Sequence, residues 1–362
     1  MFKTLLLSLL FLIKITSAVS AEESSFKVVF LNPGHAKENS TGSFWPNVSL
    51  FMDAAAKDLN IELITLYAER NHIVMKSLAT KILAHDPKYI ILVNEKGMAL
   101  NLIKELSPHN IPVFMLLNSF SEQELSLLNK QEQSIIKGSL VPNNYLAGKR
   151  LTDGLLDIYY APSNKEKHRP SPNLLALTGD YSTPAALERE QGLLDAIKTR
   201  PTINILDKTA ANWSKEQAYN KVKGILHHAR IDIIWAANDA MAFGAKKAVM
   251  ESALSNPVII GGVNWDIDDI DYPVNLSFGG HVTLGALSLV MLKDIEQNNL
   301  PVAQRFKVID IFESSLHTTF TPFTKYLQLK KINNFNFSRF SQSSTQRLNV
   351  TIEGLIQSYQ ED

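Results

Sequence analysis

Short apolar, β-rich runs alternate along this chain with helical patterns, and that alternation restricts the possible fold more than any other feature. Runs at 26–31, 61–66, 89–93 and 111–117 are separated by helical patterns at 49–59, at 74–84 and ahead of Ile111. After a variable stretch near 119–140 the pattern resumes. Runs at 174–177, 203–206, 231–236 and 258–262 now alternate with helices at 185–199, at 215–228 and behind Asp239. Strands spaced by helices of about 10–15 residues are parallel βαβ units. The expected fold is therefore α/β, with two doubly wound, Rossmann-like parallel-sheet lobes joined by hinge segments. Their expected extents are 22–119 with 282–310, and 120–281 with 311–330, with crossings near 119–121, 280–282 and 308–312. The stretch 160–172, rich in Lys, Pro and Ser, reads as a surface loop. The tail after Phe312 is polar and aromatic without clean periodicity, so 331–362 is expected as a partly ordered extension.

The chain opens with an export signal. Lys3 supplies a positive start, Leu5 to Ile13 form an apolar stretch, and Val19-Ser20-Ala21 offers small residues for a cut after Ala21. The apolar stretch is far short of the ~20 residues that span a bilayer. A mature chain of about 340 residues exceeds what one core usually supports, which agrees with two lobes. Lys+Arg 36 balances Asp+Glu 36, so no basic field invites nucleic acid or anionic lipid. There is no cysteine, hence no disulfide and no thiolate metal site. His227-His228 falls in a polar helical stretch and reads as surface. No nucleotide-binding glycine loop, nucleophile elbow or zinc-protease helix is present, and no cofactor or metal is expected.

The strand ends carry the chemistry, because ligands of open α/β sheets bind at the carboxyl ends of the strands. The run at 231–236 stops at Asn238-Asp239. Others lead to Ser43-Phe44-Trp45-Pro46, Asn118-Ser119, Pro142-Asn143-Asn144 and Thr178-Gly179-Asp180, the last followed by Glu188-Arg189. Further on stand Asn212-Trp213, Asn264-Trp265-Asp266 and Gly279-Gly280-His281. Flat aromatics and amides recur, with one arginine, Arg189, as the only cation placed in the cleft. Such a set suits a small polyol, whose C–H faces stack on rings while its hydroxyls exchange hydrogen bonds with amides. Each residue has a second reading. Trp45 and Trp213 would also serve as core aromatics, Arg189 as a surface helix residue, and Asn118, Asn238, Asp239 and Asn264 as helix caps. Phe44 would only shape the wall, His281 would be structural, and Asn143 and Asn144 would fix a crossover turn. If Trp213 is a ligand platform outside the core, its loss should leave the unliganded fold intact.

The stretches PNNYLAGK at 142–149, AALEREQG at 185–192 and WAANDAMAFGA at 235–245 resemble the type I periplasmic binding proteins of the ribose and galactose class, including their quorum-signal receptors. The resemblance covers about 26–312. It implies ligand contacts at Phe44, Trp45, Asn118, Arg189, Trp213, Asn238, Asp239, Asn264, Trp265 and His281. Asn118 and Asn264 depart from the pattern, since sugar binders of this family commonly carry aspartates there. The resemblance further implies a monomeric periplasmic protein that closes on a sugar, polyol or furanosyl signal. It would then present that ligand to an inner-membrane ABC permease or to a sensor kinase or cyclase. An exported hydrolase in the same cleft would need an acid–base pair, for which Asp180, Asp239 and Asp266 are the obvious strand-end carboxylates.

Overall fold

The computed structural model describes residues 25–37, 39–161, 170–200, 203–254, 256–267 and 273–361. The expected leader and its cleavage point lie outside the described residues, as do 162–169 of the surface loop. In chain order the first lobe begins with β1 (Phe26–Asn32), α1 (Phe44–Asp58), β2 (Ile61–Tyr67), α2 (His72–Ala84), β3 (Tyr89–Leu92) and α3 (Ala99–Leu106). It continues with β4 (Val113–Leu116), two short helices α4 (Glu122–Ser126) and α5 (Lys130–Ser134), and β5 (Ile136–Pro142). The second lobe runs through α6 (Asn144–Tyr160), β6 (Asn173–Thr178), α7 (Pro184–Lys198), β7 (Asn204–Ala210), α8 (Lys215–Leu226), β8 (Ile233–Ala236), α9 (Asp239–Glu251), β9 (Ile259–Asn264) and β10 (Leu276–Gly279). Then follow α10 (Leu284–Glu296), β11 (Phe306–Ile309), β12 (Glu313–Ser314), α11 (Phe320–Gln328) and α12 (Ile352–Ser358).

Both sheets have the same strand order. The first reads β11-β5-β4-β3-β1-β2 and the second β12-β10-β9-β8-β6-β7. All pairings are parallel except that of β12 with β10. The inner strands are buried along their whole length, as in Tyr89–Leu92 and Ile233–Ala236. Continuous apolar runs are what a parallel sheet covered by helices on both faces demands. The α/β reading of the sequence is borne out.

The lobe boundary differs from the expected one at 119/120. β5 stays in the first sheet, paired with β4 on one side and with β11 on the other, Ser139 opposite Phe306. The chain first crosses at 142–144, again at 280–283, and a third time at 310–312. The stretch before β5 looks like a break because α4 and α5 are single polar turns, each started by a capping box, Ser121 with Glu124 and Asn129 with Glu132. The apolar part of β5 behind them is short.

The tail also differs from expectation. Residues 313–314 join the second sheet, but α11 and α12 pack on the first lobe. Phe323, Leu327, Phe335, Phe337, Phe340 and Ile352 share one buried cluster with α1 and α10. The Ser338 amide donates to Asp58 at 3.0 Å, and the Gln342 amide to Asp294 at 2.9 Å. These aromatics issue from short helices and single turns, so no helical period betrays them.

Candidate functional site

The carboxyl ends of the two sheets face each other across one pocket between the lobes. From the first lobe, Phe44, Trp45 and Asn118 line it. Arg189, Trp213, Asn238 and Asn264 line it from the second, and His281 from the second crossing. Eight of the ten residues singled out in the sequence thus come together around one pocket.

Two tryptophans stand at equivalent places in the two lobes. Trp45 lies over Gly34, behind β1, and Trp213 over Gly179, behind β6. A Cβ on either glycine would fall 2.2 Å from the indole, so only glycine admits the ring there. Each tryptophan is 8% exposed and belongs to its lobe's apolar cluster. The core and wall readings of these rings are therefore both realised.

Arg189 is buried and fixed at three points. Its Nε donates to Oδ1 of Asn144 at 3.0 Å, Nη1 to the Ala237 carbonyl at 2.6 Å, and Nη2 meets Nε2 of His281 at 3.3 Å. Its guanidinium carbon lies 5.8 Å from the Trp213 ring centre and 5.7 Å from that of Phe312. Burial lowers its pKa to about 10, so it remains charged at neutral pH. His281 stacks on Phe44, ring centres 4.7 Å apart. Burial first, and then the Arg189 charge, hold its pKa well below the usual value, which makes it a neutral imidazole.

The amides divide. Asn238 caps α9, accepting from the Met241 amide at 3.0 Å, and donates to the Trp213 carbonyl at 3.3 Å. It lines the pocket while serving as a cap. Asn264 donates to Asp266 at 3.2 Å. The Oδ1 of Asn118 is buried with no protein partner.

Asp239 and Trp265 do not line the pocket. Asp239 stands behind the wall, fully buried, accepting from the Ser277 hydroxyl at 2.7 Å and the Asp266 amide at 3.0 Å. Burial pushes its carboxyl up to about 6, still ionised at neutral pH. It ties the end of β9 to β10. Trp265 turns away at φ 62°, 1% exposed, and packs on Phe320 and Phe323 of the tail, ring centres 5.3 and 5.5 Å away. The tail supplies the apolar surface that claims this ring.

The sequence reading missed Arg70 and Glu95, and gave Asn144 only a turn-fixing role. Arg70 is a second cation on the wall, bonded to Glu95 at 2.8 Å. Asn144 touches the pocket and holds Arg189, while its neighbour Asn143 caps α6. Arg70 and Glu95 follow the strands expected at 61–66 and 89–93 and so occupy strand ends like the other wall residues. Strand-end residues also carry unusual backbone: Leu117, Trp213 and Asn264 have φ of 63°, 65° and 148°. Such strain gathers where a binding clamp must be shaped. Across the mouth the lobes touch through Lys96 and Asp180 at 3.3 Å, Ser43 and Asp266 at 3.3 Å, and the Lys215 amide on the Ser40 carbonyl at 2.8 Å. Among the described residues no group of three His, Asp or Glu side chains is placed to hold a metal ion.

Two mirrored α/β lobes with a ring-walled, amide-lined pocket between them define a solute-binding protein of the two-lobed kind. The chain belongs to the periplasmic binding protein domain family, whose model matches residues 36–272. It is 24% identical over 251 residues to the D-apiose import binding protein of Paraburkholderia graminis, covering 68% of this chain and 72% of that one. It is 27% identical over 157 residues to the galactofuranose-binding protein of Escherichia coli, covering 42% of this chain and 44% of the other. A crystal structure of a periplasmic sugar-binding protein from Pseudomonas fluorescens superposes with a TM-score of 0.78 at 27% identity, over 91% of this chain and 99% of that one.

Proposed function

We propose that this protein captures one small sugar or polyol between its lobes in the periplasm and presents it to an inner-membrane ABC permease. The observation that carries the reading is the pairing of Trp45 and Trp213 on opposite lobes, with amides and arginines between them. Ring faces accept the C–H faces of a sugar, and planar polar groups take its hydroxyls. The charges on and behind the wall are matched, Arg70 with Glu95 and Arg189 with Asp239, which favours a neutral or weakly anionic ligand. The relatives named for D-apiose and galactofuranose binding support the same class. Among the described residues the one carboxylate on the wall, Glu95, is paired with Arg70, so capture rather than turnover is the reading favoured here.

A thermal-shift screen with D-apiose, D-ribose, L-arabinose, D-galactose and xylitol tests it. A ligand at ~100 times its dissociation constant adds ~2.7 kcal/mol, a clear rise in melting temperature. A response only to amines or amino acids would overturn the reading. Export is checked by terminal sequencing of protein released by osmotic shock, with Glu22 expected first.

A further inference from the structure

The wall of the pocket is short of strong acceptors for a ligand hydroxyl. Asn144 spends its oxygen on Arg189, and Asn238 spends both amide atoms within the second lobe. The hydroxyls of Thr41 and Thr183, also on the wall, donate to Asn39 and to the Asp180 carbonyl. Their donors are spent, so they can only accept, and the other side-chain oxygens on the wall with no hydrogen bond of their own are Oδ1 of Asn118, Oδ1 of Asn264 and Oε2 of Glu95. Among the described residues Glu95 is the only carboxylate on that wall.

Glu95 is held in place. Its Oε1 accepts from Nη2 of Arg70 at 2.8 Å, and the two side chains are 6% and 15% exposed. Arg70 has five N–H donors, of which this bond uses one. Arg70 follows β2 and Glu95 follows β3, the two strands that flank β1, and the Asn94 amide bonds the Asn118 carbonyl at 3.1 Å. The free oxygen of Asn118 therefore lies one strand from the carboxylate. A buried ion pair is no more stabilising than a well-packed apolar pair, so the fold alone has little use for it.

We propose that Arg70 and Glu95 are the charged recognition pair of the pocket, binding two neighbouring hydroxyls of the ligand on the first lobe. One hydroxyl donates to Oε2 of Glu95 and the next accepts from a free N–H of Arg70. Gauche vicinal oxygens are separated by about a hydrogen-bond length, so one diol can meet a carboxylate and the guanidinium bonded to it. The ligand class is thus a sugar or polyol that turns a vicinal diol to the first lobe. Charge-assisted bonds are about twice as strong as neutral ones, so the pair would set which sugars are retained. This inference rests on the reading of the cleft as a sugar site.

The test is calorimetry of the wild type, Glu95→Gln, and the double variant Arg70→Met with Glu95→Gln. The probes are D-apiose, D-ribose, L-arabinose, D-galactose and xylitol, with the monodeoxy analogue of whichever sugar binds. The double variant leaves no lone buried charge, so its unliganded melting temperature should stay near that of the wild type. Glu95→Gln should bind the sugar about 10- to 100-fold more weakly, the loss of one charge-assisted hydrogen bond, and the double variant at least as weakly. They should also cease to distinguish it from the analogue lacking the contacted hydroxyl. Wild-type affinity in a folded double variant would overturn the role of the pair while leaving the sugar reading intact. Failure of every probe to bind the wild type would overturn both.

Discussion

Arg189 reaches His281 with Nη2 at 3.3 Å from the ring's Nε2. A guanidinium has donors only, so Nε2 accepts and the proton of His281 sits on Nδ1. That Nδ1 is buried with no protein partner. The imidazole therefore offers a single donor beside the Phe44 ring, and its identity as donor is imposed from the second lobe.

This neutral histidine makes a pH prediction. Its folded pKa lies well below the ordinary 6.5, so below pH 6.5 the unfolded chain takes up a proton that the folded one refuses. Stability should fall toward acid by up to ~1.4 kcal/mol per pH unit from this group. His281→Gln removes that contribution. The buried carboxyls of Asp239 and Glu95, raised by burial, act in the opposite sense and are shared by both proteins. Denaturant titrations at pH 7.5 and 5 should show the wild type losing more stability than the variant. Parallel losses would contradict a neutral His281.

Arg189→Lys should cost both ligand and fold. A lysine cannot hold Asn144, the Ala237 carbonyl and His281 together. An unsatisfied buried acceptor costs about 1–3 kcal/mol, and a melting temperature lowered accordingly is expected alongside at least tenfold weaker binding of any sugar found in the screen. Unchanged stability would mean that the three contacts are not maintained in solution.

Trp213→Ala should destabilise the unliganded protein by about 3 kcal/mol or more, as for a core aromatic. That reverses the expectation from sequence, because the ring is 8% exposed and packs in the second-lobe cluster. Gly179→Ala should cost about 1–3 kcal/mol by pushing the indole off its seat. Equilibrium unfolding without ligand decides both, and a tolerated Gly179→Ala would show that the ring is free to move.

Lys96→Met removes the cation facing Asp180 across the mouth. Both side chains are partly solvated, 34% and 21% exposed, and such pairs contribute about 0–1 kcal/mol. Ligand affinity should weaken no more than about fivefold, and the difference should vanish at high salt. A salt-independent loss would place Lys96 on the ligand itself.

Most of the architecture could be read from strand–helix alternation, because inner parallel strands such as Ile233–Ala236 must be apolar throughout. The site was legible wherever a polar or aromatic residue stood directly at a strand end, as with Asn118 and Asn238. Arg70 and Glu95 were equally placed but hidden by their type, since charged residues in a turn look like ordinary solvated surface. Trp265 misled in the other direction. Its neighbour Asn264 faces the pocket, but one positive φ swings the indole to Phe320 and Phe323, long-range partners that no local pattern reveals. The same holds for α10, buried from Leu284 to Ile295, whose apolar surround erased the amphipathic period of a one-sided helix.

The third crossing has a consequence for how the protein comes into being. Ser139 of β5 waits for Phe306 of β11 to cover its edge, and β10 waits for β12. During synthesis the edges of β5 and β10 therefore stay bare until the chain has grown past residue 314, and an exposed edge is a template for unwanted pairing. Neither lobe is a contiguous stretch that could be cut out and expressed alone with its sheet complete. A fragment ending before 306 should emerge as a sticky, aggregation-prone intermediate, and nine residues farther on the same chain should close both sheets at nearly the same moment.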